Sequence, residues 1–172
     1  MRSLPILLPA AVIRARACPL ASIRQIRTWR LRFVERSGNP TLDDLPRPAG
    51  WSDVVEASAT PHGGAVALHG DGFRAVWDAP RPVTGPVRLR GDLVVDPLDG
   101  LETRGRILRL RLLTETVRED TAGERVVALT ARDLSAIPKA VDDGSREAAG
   151  DTALDVRTRD RGVLLDVELG VA

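Results

Sequence analysis

The sequence predicts one mainly β domain. Two observations carry this expectation: apolar and charged residues repeatedly alternate with period two, and Gly-, Pro- and Asp-rich turn text separates the alternating runs. A helix running from Ile23 through Ile26 to Phe33 is the competitor to the first strand.

The alternation is clear in residues 28–35, where Trp29, Leu31 and Phe33 fall on one face and Arg30 and Arg32 on the other. Residues 37–64 read as a connecting region rich in Gly and Pro, with Asp53 and Glu56 spaced as a capping box for one helical turn. Residues 65–69 and 73–78 flank Gly70-Asp71-Gly72, a hairpin signal, and place Phe73, Ala75 and Trp77 on one face. Val87, Leu89, Leu93 and Val95 then alternate with Arg88, Arg90 and Asp92, and Gly91 in mid-strand suggests a bulge or a corner. Residues 104–118 give the longest β pattern, with Leu108, Leu110 and Leu112 inward, and 125–131 give another strand. Residues 132–152 read as a mobile loop or short helix. The last strands are expected at 153–158 and 163–169, turned by Arg159-Asp160-Arg161-Gly162.

From residue 86 the order is strand, strand, strand, short helix, strand, strand. That order fits an OB-like five-stranded barrel with extra N-terminal strands, although other small antiparallel barrels and sandwiches also fit it. The expected organisation is a leader over 1–27 and a single β domain over 28–172, of which 65–172 is the best defined.

The leader is assigned for three reasons. Leu4 to Ile13 is apolar but too short to span a bilayer, and Pro5 and Pro9 interrupt it. The first 36 residues carry eight arginines against one glutamate, whereas the remainder carries 17 basic and 23 acidic residues. Ala15-Arg16-Ala17 before Cys18 has the form of an export cleavage site, but Arg14 and Arg16 sit where a signal peptide is normally uncharged. The expected location is therefore cytoplasmic, with export through an atypical signal as the alternative. Lys139 is the sole lysine among 25 basic residues, and Arg, Ala, Gly, Pro, Val and Asp are all abundant, the pattern of a GC-rich bacterial genome.

Little in the chain suggests catalysis. There is no Gly-x-Ser-x-Gly elbow, no Ser-x-x-Lys and no phosphate-binding glycine loop. Cys18 is alone and far in sequence from His62 and His69, which read as ordinary loop histidines rather than metal ligands. The pairs Asp43 and Asp44, Asp96 and Asp99, Asp142 and Asp143 all lie in turn text, where Asp caps turns through its own side chain. No enzyme activity, cofactor or metal is expected.

One constellation has a physical point. If 86–95 and 104–113 pair as consecutive strands, Arg88, Arg90, Arg109 and Arg111 share an outer face suited to phosphates, and Trp77 supplies stacking if it is exposed. The competing reading is a solvated face whose arginines meet Asp92, Glu102 or Glu115 across strands, with an acidic counterpart in Asp155, Asp166 and Glu168 on the last hairpin. The expected function is thus a non-enzymatic β-surface binding domain for nucleic acid or another polyanion. A protein-interaction or scaffold subunit pairing through an edge strand, or an exported envelope domain, is the alternative.

Overall fold

A computed structural model describes residues 3–35, 51–60, 64–120, 123–142, 144 and 156–170. These residues form a nine-stranded sheet and one short helix: β1 (Ser3–Pro9), α1 (Ala10–Arg14), β2 (Ile26–Glu35), β3 (Trp51–Ala59), β4 (Val66–Gly70), β5 (Phe73–Trp77), β6 (Gly85–Val95), β7 (Leu101–Asp120), β8 (Gly123–Leu134) and β9 (Val156–Leu169). The mainly β expectation holds.

The sheet closes on itself through β2, which pairs with β5, β6 and β7. Two circuits result. One runs β2–β5–β4–β3–β6, the other β2–β7–β9–β1–β6, and they share the β2–β6 pair. Trp29, Leu31 and Phe33 point from β2 into one continuous apolar cluster that both circuits supply. Where β5 and β7 approach without a ladder, the buried Thr103 hydroxyl accepts from the Arg74 amide at 2.8 Å and donates to its carbonyl at 2.9 Å. One side chain thereby satisfies a backbone pair that would otherwise be left open.

The largest correction concerns the expected leader. Residues 3–9 are β1, lying between β6 and β9, with Leu4, Ile6 and Leu8 almost completely buried. The period-two pattern was present, but the prolines hid it. Both prolines fall outside the two-residue contact with β6, which involves only Ile6 and Leu7, so neither removes a rung there. The helix α1 and the start of β2 at Ile26 also lie inside 1–27.

Further differences follow from features that strand-by-strand periodicity does not report. Residues 51–59 form β3, so Asp53 and Glu56 cap no helix, while most of the expected connecting region lies outside the described residues. In β7, Leu108 is an extra residue at a bulge between Ile107 and Arg109, and it is 41% exposed rather than inward. The bulge moves the buried set from Thr103 and Ile107 to Leu110 and Leu112, so the odd-numbered face gives way to the even one. Arg159-Asp160-Arg161-Gly162 is no turn. It stays within β9, where the register against β7 shifts beside Gly162 and the strand kinks. Between Ser135 and Asp142 the described residues carry no helix, and one strand follows β8 instead of two. β6 and β7 are also not neighbours, because β2 lies between them. The pairing thus departs from the five-strand order expected from residue 86.

Gly91 does mark a special place in β6, but not a bulge. It continues the inward series Leu89, Leu93 and Val95, and it pairs with both Trp51 of β3 and Glu35 of β2. A side chain there would enter the space held by the Phe33 ring and the Val34 carbonyl.

Candidate interaction surface

The four arginines singled out by sequence are not brought together. Because β2 runs antiparallel to both β6 and β7, Arg88 and Arg90 lie past its C-terminal end at Glu35, and Arg109 and Arg111 lie past its start at Ile26. A ten-residue strand separates the two pairs, roughly 30 Å of extended chain. Arg88 and Arg90 are exposed, opposite Val54 and Ser52 of β3. Arg109 is clamped by Asp133, with Nε to Oδ1 at 2.7 Å and an NH2 nitrogen to Oδ2 at 3.1 Å. Arg111 meets both Asp166 oxygens, at 3.1 and 3.0 Å. Trp77 is buried and packs edge-on against Phe33 with ring centroids 6.0 Å apart, so it presents no stacking face to solvent. Trp29, Phe33 and Phe73 are buried as well.

Those ion pairs belong to a three-stranded extension that carries the molecule's least covered surface. β7 forms its middle from Leu110 onward, with β8 along one edge and β9 along the other. Charged side chains tie the three strands across their faces. The buried Glu115 carboxylate accepts from Arg159 Nε at 2.6 Å and from Arg161 at 3.4 Å. Arg159 also reaches Glu124 on β8 at 3.2 Å, where Arg157 joins it. Thr114 donates to Asp160 at 2.9 Å. Pairing with Asp133 pushes the Arg109 guanidinium further up in pKa, and the same hydrogen bond holds the Asp133 carboxyl below its usual range.

β8 is the outer strand of this extension and pairs only with β7 among the described residues. Its twelve residues are almost all exposed, including the apolar run Val126-Val127-Ala128-Leu129 in part or in full. Val127 is 41% exposed and stands unpaired at a bulge, since Val126 faces Val117 and Ala128 faces Thr116. From Ala128 to Leu134 the ladder runs without interruption.

Sequence reasoning missed a second cluster. Arg32 on the outer face of β2 meets three carboxylates: Asp78, Asp96 at 2.7 Å and Asp99 at 3.4 Å. The turn Asp-Pro-Leu-Asp-Gly signalled only a reversal, and its meeting with Arg32 depends on the β2–β6 pairing. Burial works to raise the Asp96 pKa, but Arg32 and the amides of Asp99 and Leu98 outweigh it and leave it lowered from 3.8. A folded pKa below the unfolded one stabilises fully above the unfolded value, and the gain is lost as pH falls through the folded value. Asp96→Asn is therefore expected to lower the urea midpoint near neutral pH, with the gap from wild type shrinking as pH falls below 3.8. An equal gap at both pH values would show that the carboxylate charge is not what matters.

Two other arrangements offer less. Ser58 Oγ lies 3.1 Å from His69 Nε2, but both stand in solvent on strands β3 and β4, where no desolvated pocket surrounds the hydroxyl. His69 is thus a strand residue, while His62 lies outside the described residues. Among the described residues no group of three or more His, Cys, Asp or Glu is placed to hold a metal, and no helix is long and apolar enough to cross a membrane. Comparison with protein-family models, curated proteins and solved structures returns no match.

Proposed function

We propose that this chain is a non-enzymatic protein-interaction module that accepts a partner strand along β8. One observation carries the reading: a twelve-residue edge strand lies open over nearly its full length with an apolar run in solvent. Unpaired N–H and C=O groups on such an edge are a template for another strand, and proteins ordinarily guard them with Lys, Pro or a covering element. β8 has neither Lys nor Pro; it carries Glu124, Arg125, Arg132, Asp133 and the bulge at Val127, and among the described residues no strand pairs with its outer side over 128–134. The ion pairs from β7 to β8 and β9 hold this edge rigid, which lowers the ordering cost of adding a strand.

Successive residues of a strand point their amides to opposite edges, so Thr130→Pro and Ala131→Pro separate the two sides of β8. The variant whose proline replaces an outward amide is expected to keep the wild-type melting temperature and to lose at least tenfold in affinity for the partner recovered with the wild-type chain. The other is expected to melt lower, because it breaks the ladder to β7. Equal partner retention by wild type and the folded proline variant would overturn the reading.

Polyanion binding keeps a narrower footing in Arg88 and Arg90, which are exposed and in no ion pair with another described residue. It requires binding to single- or double-stranded nucleic acid that weakens steeply with salt.

A further inference from the structure

The region around α1 holds a cavity of a different kind from the charged extension. α1 ends in a left-handed turn at Arg16, whose φ is 53° and whose amide donates to the Ile13 carbonyl at 3.0 Å. The chain then returns through Cys18, Pro19 and Leu20 to a short bridge between Ser22 and Ala136. The Ile137 amide donates to the Ala21 carbonyl at 2.8 Å, and the Ile23 amide to the Ser135 carbonyl at 3.2 Å. These bonds fix the 134–139 segment against the 18–23 segment, with Ile13, Ala21 and Ile137 buried beneath. Between them lies a cavity of about 350 Å³ lined by Ile13, Arg16, Cys18, Leu20, Pro138 and Lys139.

Its charge sets it apart. Among the described residues, Arg16 and Lys139 are the charged ones that line it, and neither is in an ion pair with another described residue. Leu20 is 53% exposed, so the lining presents apolar surface to solvent. The larger cavity of about 430 Å³ beside Arg14 lacks this imbalance. There Glu115 and Asp160 share the lining with Arg159 and Arg161, and the carboxylates are already bonded within the protein.

We propose that the cavity between α1 and the 134–139 segment binds a small anionic amphiphile: a single alkyl chain against Ile13, Leu20 and Pro138, with its carboxylate between Arg16 and Lys139. Two cations with no counter-charge among the described residues, lining an otherwise apolar recess of this volume, match one acid head and one apolar tail. A backbone held at positive φ in a non-glycine residue is itself unusual, and here it sits at the lining. This site is independent of β8.

Cys18 provides the readout, because it is the sole cysteine and lines the cavity. Alkylation of the full-length chain by N-ethylmaleimide would be timed with butanoate, hexanoate, octanoate, octyl phosphate or octanol present. Octanoate is expected to protect saturably, with apparent affinity rising about fourfold per added methylene until the cavity is filled. Octanol is expected to protect at least fivefold less well. Octyl phosphate, the same chain on a second anionic head, is expected to protect as octanoate does, and its failure to protect would overturn a site read from its two cations. Arg16→Gln and Lys139→Gln, each checked for an unchanged melting temperature, are expected to weaken octanoate about fivefold and to leave octanol unchanged. Protection by octanol equal to that by octanoate, affinity independent of chain length, or no protection at about 10 mM octanoate would overturn the assignment.

Discussion

Deleting residues 1–17 is expected to abolish folding. The deletion removes Leu4, Ile6, Leu8, Ala10 and Ile13 from the core, and it strips β9 of its antiparallel partner over Ser3 to Pro9. Truncating a single buried Leu or Ile to Ala costs roughly 2–5 kcal/mol, and a whole domain is stable by only about 5–15 kcal/mol. Losing several such side chains together with a central strand exceeds that margin. The check is a far-ultraviolet circular dichroism melt of the truncated chain beside the full one, with Ile6→Ala as the graded case. Ile6→Ala is expected to lower stability by about 2–5 kcal/mol in urea. A truncated chain with a cooperative melt near the full-length temperature would remove β1 from the core.

Gly91→Ala is expected to be strongly destabilising although it adds a single methyl group. At an ordinary strand position Ala is favoured over Gly by about 0.5–1 kcal/mol, because it loses less backbone entropy on folding. At residue 91 the new Cβ would stand 2.2 Å from the Val34 carbonyl oxygen and 2.6 Å from the Phe33 ring. The ring is itself held edge-on by Trp77, and the carbonyl belongs to a strand paired on both sides. Neither has room to retreat, so the expected loss is about 3 kcal/mol, the upper range for inserting a methyl into a packed core. Urea unfolding of Gly91→Ala against wild type decides the sign directly. A stabilised variant would mean that β2 and β6 lie farther apart than the register implies.

Much of the fold was legible because a strand writes its burial into alternate residues. The 28–35 strand, the hairpin around Asp71 and Gly72, and the inward series of β6 all appear at or near their predicted positions. What the pattern could not carry was who sits beside whom. Arg88, Arg90, Arg109 and Arg111 face outward by parity as expected, but β2 intervenes and separates them. Asp133 and Asp166 became partners of Arg109 and Arg111 through registers set tens of residues away. Bulges defeated parity itself at Leu108 and Val127, since one extra residue exchanges the faces and leaves the composition unchanged. Prolines in β1 imitated the text of a leader. The open edge of β8 had no local signature, because an exposed edge strand and a half-buried inner one share the same β-branched vocabulary.

The pairing of β1 with β9 also orders events in time. Ser3 stands opposite Glu168, so β1 leaves the ribosome well before the strand it pairs with. At about 5–20 residues per second, β1 spends roughly 10–30 s without its antiparallel mate while the intervening chain is made. During that interval only its short contact with β6 is available, and closing the second circuit carries the loop entropy of the long stretch between β1 and β9. The first circuit, complete once β6 has emerged, can assemble earlier and serve as the template on which β7, β9 and β1 settle. Synthesis in this molecule therefore runs ahead of enclosure, and a nascent chain stalled before residue 156 would hold one finished ring and an apolar strand still seeking its place.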